Sequence, residues 1–438
     1  MANITWTKNE LDFIKQQIKS GVHPRDFLKE LNNRFKNKRT IQSLETKLGR
    51  LQISYAHCGD DTNEMDNASD RKIGRVVELE TKIEELMAKG RVMSRKYKAS
   101  IKDQNLQDAI IKVAKDHVKA LPSVKFPKPY KADKTITHEH ALLLLSDIHA
   151  GEVVSPSDTN GLNAYNPDIM CHRLKYLSDH IIDIVMDKLR GYKFDKLVIA
   201  GLGDWVSGMI HDELVETAEG TVIEWTFGVA LVVAQFMREL ATVFPAIEFI
   251  GVVGNHGRMH RKPRFKNRYV NWDYVAYQFL SLLLKDQKNI TFNLPKSFWH
   301  LQEINGKRFL FLHGDNINSY NGIPWYGINR TIAQFKELLE AKQQRFDYIC
   351  MGHFHQRNIL DRVTGELILN GSLIGGNEFV IGKMFTSGEA SQHLGGVHHK
   401  RGTTWNYKIR VQYAPTEGEP AYTYNVDNTF AETATKVL

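Results

Sequence analysis

Residues 141–149 read ALLLLSDIH, an apolar run that stops at Ser146 and delivers Asp147 and His149 directly after it. A short apolar run of this kind predicts a strand, with a candidate metal-ligand residue at or just after its carboxyl end. The same layout recurs four times downstream. KLVIAGLGD (196–204) leads to Asp204, and IEFIGVVGNH (247–256) leads to Asn255 and His256. RFLFLH (308–313) leads to His313, and YICMGHFH (348–355) leads to His353 and His355. In α/β proteins, chemistry gathers where the carboxyl ends of strands meet their loops. Glycines beside these residues (Gly203, Gly254, Gly314 and Gly352) let the backbone turn tightly at each strand end.

The residue types point to a metal. Asp, Asn and His without Cys form a mixed oxygen and nitrogen donor set suited to Mn²⁺, Fe, Zn²⁺ or Mg²⁺, with Mn²⁺ first among them, and unsuited to soft copper chemistry. Seven such side chains exceed what one ion needs. Two ions about 3.5–4 Å apart, sharing a carboxylate, use them economically and clamp both oxygens of a phosphoryl displacement. With 18 histidines in the chain, one at a strand end says little; the ordered set carries the weight.

Asp-x-His, Gly-Asp, Gly-Asn-His, a lone His and Gly-His-x-His, in that order, resemble the calcineurin-like metallophosphoesterase signature over roughly residues 140–375. The resemblance implies a four-layer α/β/β/α sandwich. It assigns Asp147, His149, Asp204 and His355 to one divalent ion and Asp204, Asn255, His313 and His353 to a second, with Asp204 bridging. It keeps His256 off the metals, as a transition-state stabiliser or a general acid for the leaving oxygen. Arg258 would help neutralise charge on the equatorial oxygens. The attacking group implied is hydroxide from a water bridging the ions.

The choice of ester rests on fewer residues. Protein phosphatases of this superfamily extend the second motif as Gly-Asp-x-Val-Asp-Arg-Gly, whereas this chain has GDWVSGMIHDE and then GNHGR. Directly after His256, the stretch 258–268 carries Arg258, Arg261, Lys262, Arg264, Lys266 and Arg268 with no acid. Beside a metal centre, such a loop suits several backbone phosphates; a solvated basic loop is the plainer alternative. The segment also looks like phosphoesterase-type proteins of tailed phages, often labelled DNA exonucleases. The reading favoured is therefore a nuclease or phosphodiesterase acting on DNA. The alternatives are an enzyme for small or protein-bound phosphates, and a DNA-binding regulator that uses the domain only for docking.

The N-terminal region supports a polyanionic partner. Residues 1–50 hold eleven Lys and Arg against five Asp and Glu, which accounts for most of the net +8 of the 438-residue chain. Residues 1–55 predict three helices. Thr7 and Glu10 have capping-box spacing, Gly21 stops the first helix, Pro24 opens the second and Thr40 caps the third. Leu11, Ile14 and Ile18, then Phe27, Leu31 and Phe35, then Ile41, Leu44, Leu48 and Leu51 form the apolar faces. The unit resembles Myb-like or other helix-turn-helix domains, which implies DNA contacts from Arg39, Lys47 and Arg50.

Residues 56–137 read as a helical linker. It contains a seam at Val76, Leu79, Ile83, Leu86, Gly90, Met93 and Tyr97, suited to a homodimer or to packing on the catalytic domain. The catalytic domain is expected over 138–413, including a His- and Gly-rich loop at 385–404, with a polar tail over 414–438. No run approaches the ~18 apolar residues of a membrane span. The three cysteines are unpaired in spacing and the N-terminus lacks a signal-peptide layout, so a cytoplasmic protein is expected, in host cytoplasm if phage-encoded.

Overall fold

The computed structural model describes residues 6–36, 38–53, 101–131, 136–210, 220–260, 262–317, 323–378 and 388–425, with the single positions 82, 89, 98 and 381. The chain divides into two compact units, Met1–Ser100 and Ile101–Leu438. The seam expected over 76–97 lies outside the described residues except at 82 and 89.

In the first unit, α1 (Lys8–Lys19), α2 (Pro24–Phe35) and α3 (Ile41–Arg50) follow the sequence signals. The Thr7 hydroxyl accepts from the Glu10 amide, and the Glu10 carboxylate accepts from the Thr7 amide at 2.8 Å. Ile14, Phe27, Leu31, Leu44 and Leu48 pack into one small core. Arg39 departs from expectation. It is buried, its Nε and Nη2 donate to the two oxygens of Glu10 at 3.0 and 3.2 Å, and its guanidinium stacks 4.0 Å over Trp6. A buried arginine spent on a bidentate carboxylate has no fork left for a phosphate; Arg39 pins α1 to the α2–α3 connection. Lys47 and Arg50 do lie in the last turn of α3, with Arg50 exposed.

This pin sets an acid sensitivity. Burial opposes ionisation of Glu10, but hydrogen bonds from Arg39 and Thr7 win and hold its carboxyl below the usual 4.5. A depressed carboxyl contributes stability that is present above the unfolded value and lost as pH falls through the folded one. Glu10→Gln strands the buried guanidinium at a cost of about 3 kcal/mol or more. Hydrogen exchange of the full chain at pH 7 should therefore speed up across residues 8–50 in this variant, and in the wild type as pH drops below about 4.5. Unchanged protection in Glu10→Gln would show the pin to be dispensable.

The second unit begins earlier than the sequence suggests. Residues 101–117 form a helix, α4, whose Ile110 and Ala114 sit in the main core. The Gln107 side chain accepts from the Asn271 amide, and the following strap bonds Leu121 to Leu283 and Val124 to Gln287. Residues 101–131 are thus part of the globular unit, not of a linker.

The strands are β1 (Thr137–Leu145), β2 (Tyr192–Gly201), β3 (Ile247–Gly251), β4 (Ile290–Asn293), β5 (Trp299–Ile304) and β6 (Lys307–Leu312). After them come β7 (Tyr348–Met351), β8 (Asn358–Asp361), β9 (Glu366–Leu369), β10 (Gln392–His398) and β11 (Gly402–Ile409). One sheet runs β11-β10-β1-β2-β3-β4 and the other β5-β6-β7-β9-β8. β1 through β4 are mutually parallel, as are β6, β7 and β9, so their carboxyl ends share one edge of each sheet.

Strand alternation builds the layers. Ala141, Leu143 and Leu145 face the core formed with α5 (Pro167–Asp183), α6 (Val222–Leu240) and α7 (Trp272–Leu283). Leu142 and Leu144 face the opposite way and meet Phe309, Phe311 and Cys350 of the second sheet. Leu310 and Leu312 then turn outward to α8 (Trp325–Glu340). The order is helices, sheet, sheet, helix: the four-layer α/β/β/α sandwich.

Two readings of the C-terminal region change. The segment expected as a His- and Gly-rich loop is largely the hairpin of β10 and β11, with His398 and His399 at its turn. Leu144 pairs with His393 and His140 with Val397, so that turn lies at the end of β1 away from Asp147. The start of the expected tail packs along α6, with Thr423 and Gln235 hydrogen-bonded and Tyr422 donating to Glu239.

Candidate metal centre

Each ligand residue sits just past a strand end, and the backbone there is unusual. Asp147, His149, Asp204, His353 and His355 all adopt positive φ, between 53° and 69°. The described residues contain only eleven non-glycine positions of this kind, so nearly half of them fall on five of the seven expected ligands. Backbone held in sparsely populated regions clusters where function demands a side-chain direction that regular structure does not give.

The loops are pressed together to bring those side chains into one place. The β1 and β2 ends continue pairing past the strands, with Asp147 N–H to Gly203 and His149 N–H to Asp204 carbonyls. A Cβ on Gly203, which sits at φ +88°, would stand 2.3 Å from the Gly254 nitrogen, and one on Gly254 would stand 2.1 Å from Asp204 Oδ1. Only glycine permits this approach. Across the sheets, the His353 amide donates to Asp147 Oδ1 at 3.0 Å.

Three groups of donor atoms result, each within 4.8 Å of one another: Asp147, His149 and His355; His149, Asp204 and His256; Asp204, His313 and His353. All are buried or nearly so. Asn255 joins the third, its Oδ1 lying 3.1 Å from His313 Nε2. All seven ligand residues expected from the sequence therefore converge. His256 converges too: its ring lies 4.6 Å from that of His149, although the resemblance keeps it off the metal.

The chemistry of this set fits a cation. His313 Nδ1 lies 2.7 Å from the Leu202 carbonyl, which only accepts, so one ring proton is there and Nε2, a lone pair in the neutral ring, is the position that a cation or a second proton takes. That nitrogen faces Asp204 Oδ2 at 2.9 Å and Asn255 Oδ1 at 3.1 Å. On the other side, His149 Nε2 and His355 Nε2 face each other at 3.3 Å, with Asp147 Oδ1 3.4 Å from His355. Converging acceptors repel unless a positive charge lies among them. Ionisation reports the same excess: burial disfavours the charged form of His149, yet Glu152, Asp204 and Asp147 raise it to about 9. Burial likewise opposes charge on His313, but Asp204 raises it to about 10. His353 goes the other way, to about 4, through burial and the neighbouring His313.

The calcineurin-like phosphoesterase family model matches residues 140–357. This stretch is a calcineurin-like phosphoesterase domain. Its reaction class is metal-dependent phosphoester hydrolysis, and its cofactor is a divalent metal. Among solved structures, the chain is similar to a conserved protein of Streptococcus pneumoniae described as a predicted phosphoesterase, at 10% identity, TM-score 0.26, covering 62% of this chain and 98% of that one. Wild-type Vps29 of Entamoeba histolytica complexed with Zn²⁺ is similar at 9% identity and TM-score 0.27, covering 61% and 99%. A novel archaeal phosphodiesterase is similar at 10% identity and TM-score 0.28, covering 61% and 99%. The chain matches no curated protein.

Two residues of the phosphoesterase domain matter to the centre without having shown in the sequence. Asp273, at the start of α7, is fully buried and accepts four backbone N–H groups. Asp204 and Gly254 donate to Oδ2 at 3.0 and 2.9 Å; Trp205 and Val206 donate to Oδ1 at 3.0 and 3.2 Å. It ties the Asp204 loop to the Asn255 loop. Glu152 lies 3.3 Å from His149 Nδ1 and accepts from Ser207 at 3.0 Å and Asn377 at 2.5 Å. A carboxylate behind a ligating imidazole fixes ring orientation and basicity. Both are ordinary acids in sequence; only the pairing of loop amides, or of an i,i+3 His and Glu after a strand, hinted at them.

Beside Asn255 and His353 opens a cavity of about 310 Å³ lined by Arg258, Lys262, Arg264, Phe265 and Arg268. Of the expected nucleic-acid contacts, Lys262 and Lys266 are exposed. Arg268 is instead paired with Asp315 at 2.7 Å and largely covered, and Arg264 bonds His260 at 2.8 Å. Arg261 lies outside the described residues. Among those residues no helix is long and apolar enough to cross a membrane.

Proposed function

We propose that this protein hydrolyses phosphodiester bonds of DNA with two divalent cations, one held by Asp147, His149, His355 and Asp204 and the other by Asp204, Asn255, His313 and His353. The observation that carries the reading is the placing of Asp204 at 2.9 Å from His313 and within one 4.8 Å group with His149, so that a donor cluster stands on either side of it. When bound, the ions supply Lewis acidity and a nucleophile at neutral pH. Mn²⁺ is the first ion to try, and a DNA substrate suits a cytoplasmic enzyme.

The chain's own residues do the rest. His256 has Nδ1 3.2 Å from the Ser207 carbonyl, so Nδ1 carries a proton and Nε2 is the position from which the imidazolium form would pass a proton to the leaving oxygen. Asp204 Oδ1 accepts the His256 amide at 2.7 Å, which fixes that ring beside the metal donors. Arg258 lines the adjoining cavity and supports phosphate oxygens, and Lys262 and Lys266 extend the positive surface outward.

A gel assay on single- and double-stranded DNA across Mn²⁺, Mg²⁺, Zn²⁺ and Fe²⁺ tests the proposal. Cleavage is expected with at least Mn²⁺, stopped by chelator and restored by the ion. Intact DNA beside brisk hydrolysis of a small phosphodiester would turn the reading towards small phosphates.

A further inference from the structure

We propose that the cavity beside the metal donors takes an unpaired nucleotide, its base stacked on Phe265, so that the substrate is a single strand or a frayed strand end. The inference rests on the DNA reading above and sharpens it.

Phe265 is 81% exposed, among the most exposed large apolar side chains of the described residues. It belongs to none of the apolar cores, so its burial contributes little to folding. It stands between Arg264 and Lys266 and lines the same cavity as Asn255 and His353, the ends of two ligand loops. A phenyl ring offered to solvent within a basic loop is the pairing of features that single-strand binders use: cations along the phosphates, an aromatic face under the base.

The electrostatics of the cavity point the same way. Among the described lining residues its one carboxylate, Asp315, is matched by Arg268 at 2.7 and 2.8 Å, and that guanidinium is itself seated 5.4 Å over Phe298. Asp103, nearby, is engaged by His260 at 2.6 Å. Lys262 and Lys266 carry no ion pair among the described residues and can meet phosphate on the outer side, while Arg258, its Nε donating to the His260 carbonyl at 3.0 Å, lines the metal side. The volume, about 310 Å³, lies at the small end of ligand sites. It suits one nucleotide. A base inside a duplex has both faces covered by its neighbours, so stacking on Phe265 requires a base already out of the stack.

The test compares two oligonucleotides of one sequence, one intact and one with abasic sites in place of its bases, on the full-length protein. Affinity is read by fluorescence anisotropy in an Asp204→Asn background with Mn²⁺, and KM is read in the otherwise unaltered enzyme. Phe265→Ala is expected to weaken binding and raise KM for the intact strand by about 5- to 100-fold. The loss on the abasic strand should be several-fold smaller, and Phe265→Trp should restore the intact strand. Equal losses on both strands, or no loss on either, would overturn the stacking role while leaving DNA hydrolysis standing. If neither strand binds or is cut while a small phosphodiester is hydrolysed, the DNA reading fails and this inference fails with it.

Discussion

Asp204→Asn is expected to lower phosphodiester turnover by roughly three orders of magnitude or more while leaving the fold intact. The change is isosteric and buried. The amide oxygen still accepts the His256 N–H, which now lies 2.7 Å from Oδ1. What disappears is the negative charge between the two donor clusters and one of the lone pairs that face His313. Metal content by elemental analysis should fall below two per chain, with thermal unfolding of the metal-free protein little changed. Full turnover in this variant, or full metal content, would remove Asp204 from the bridging position. An unchanged cellular phenotype despite lost turnover would instead favour the domain as a docking module.

Asp273→Asn should cost about 3 kcal/mol of stability or more, together with most of the activity, though residue 273 is not among the expected ligands. Its two oxygens each serve a pair of amides, one donated by Asp204 and Gly254, the other by Trp205 and Val206. An asparagine satisfies one pair and turns an N–H₂ towards the other, leaving buried donors opposed. Burial and the charge of Asp204 already push the Asp273 carboxyl up to about 6, so its ionised form is held at some expense. The amides it gathers belong to the backbone of the ligand loops, so their loss should loosen Asp204 and Asn255 together. Thermal unfolding and metal titration on the same sample separate this from a simple packing defect. A lowered melting point with unchanged metal affinity would confine Asp273 to stability.

The strand ends and the residues that converge beyond them were legible in the sequence because they share one pattern, an apolar run that stops at a residue of ligand type. Fully buried parallel strands leave continuous apolar runs, and Leu142 to Leu145 face two cores at once. The support around the donors was not legible. Asp273 acts through backbone amides, which carry no residue identity, and Glu152 acts through a contact to His149 that depends on a left-handed backbone at His149. Arg39 failed for a related reason: in a basic stretch a lysine-like surface role and a buried pair with Glu10 look alike until the fold brings residue 10 beside residue 39. β10 was hidden by glycines and histidines, which resemble a loop in composition but here form a strand between β11 and β1.

The donors come from both halves of the sandwich: Asp147, His149, Asp204 and Asn255 follow strands of one sheet, His313, His353 and His355 strands of the other. The thickness of the apolar filling between them, set by side chains such as Leu144, Ala200, Ile250, Phe309 and Phe311, is therefore a gauge for how far apart opposing donors stand. Close-packed interiors pass on a change of even one methylene. Enlarging Ala200 would thus retune the reactive centre from beneath, without altering any group that touches substrate.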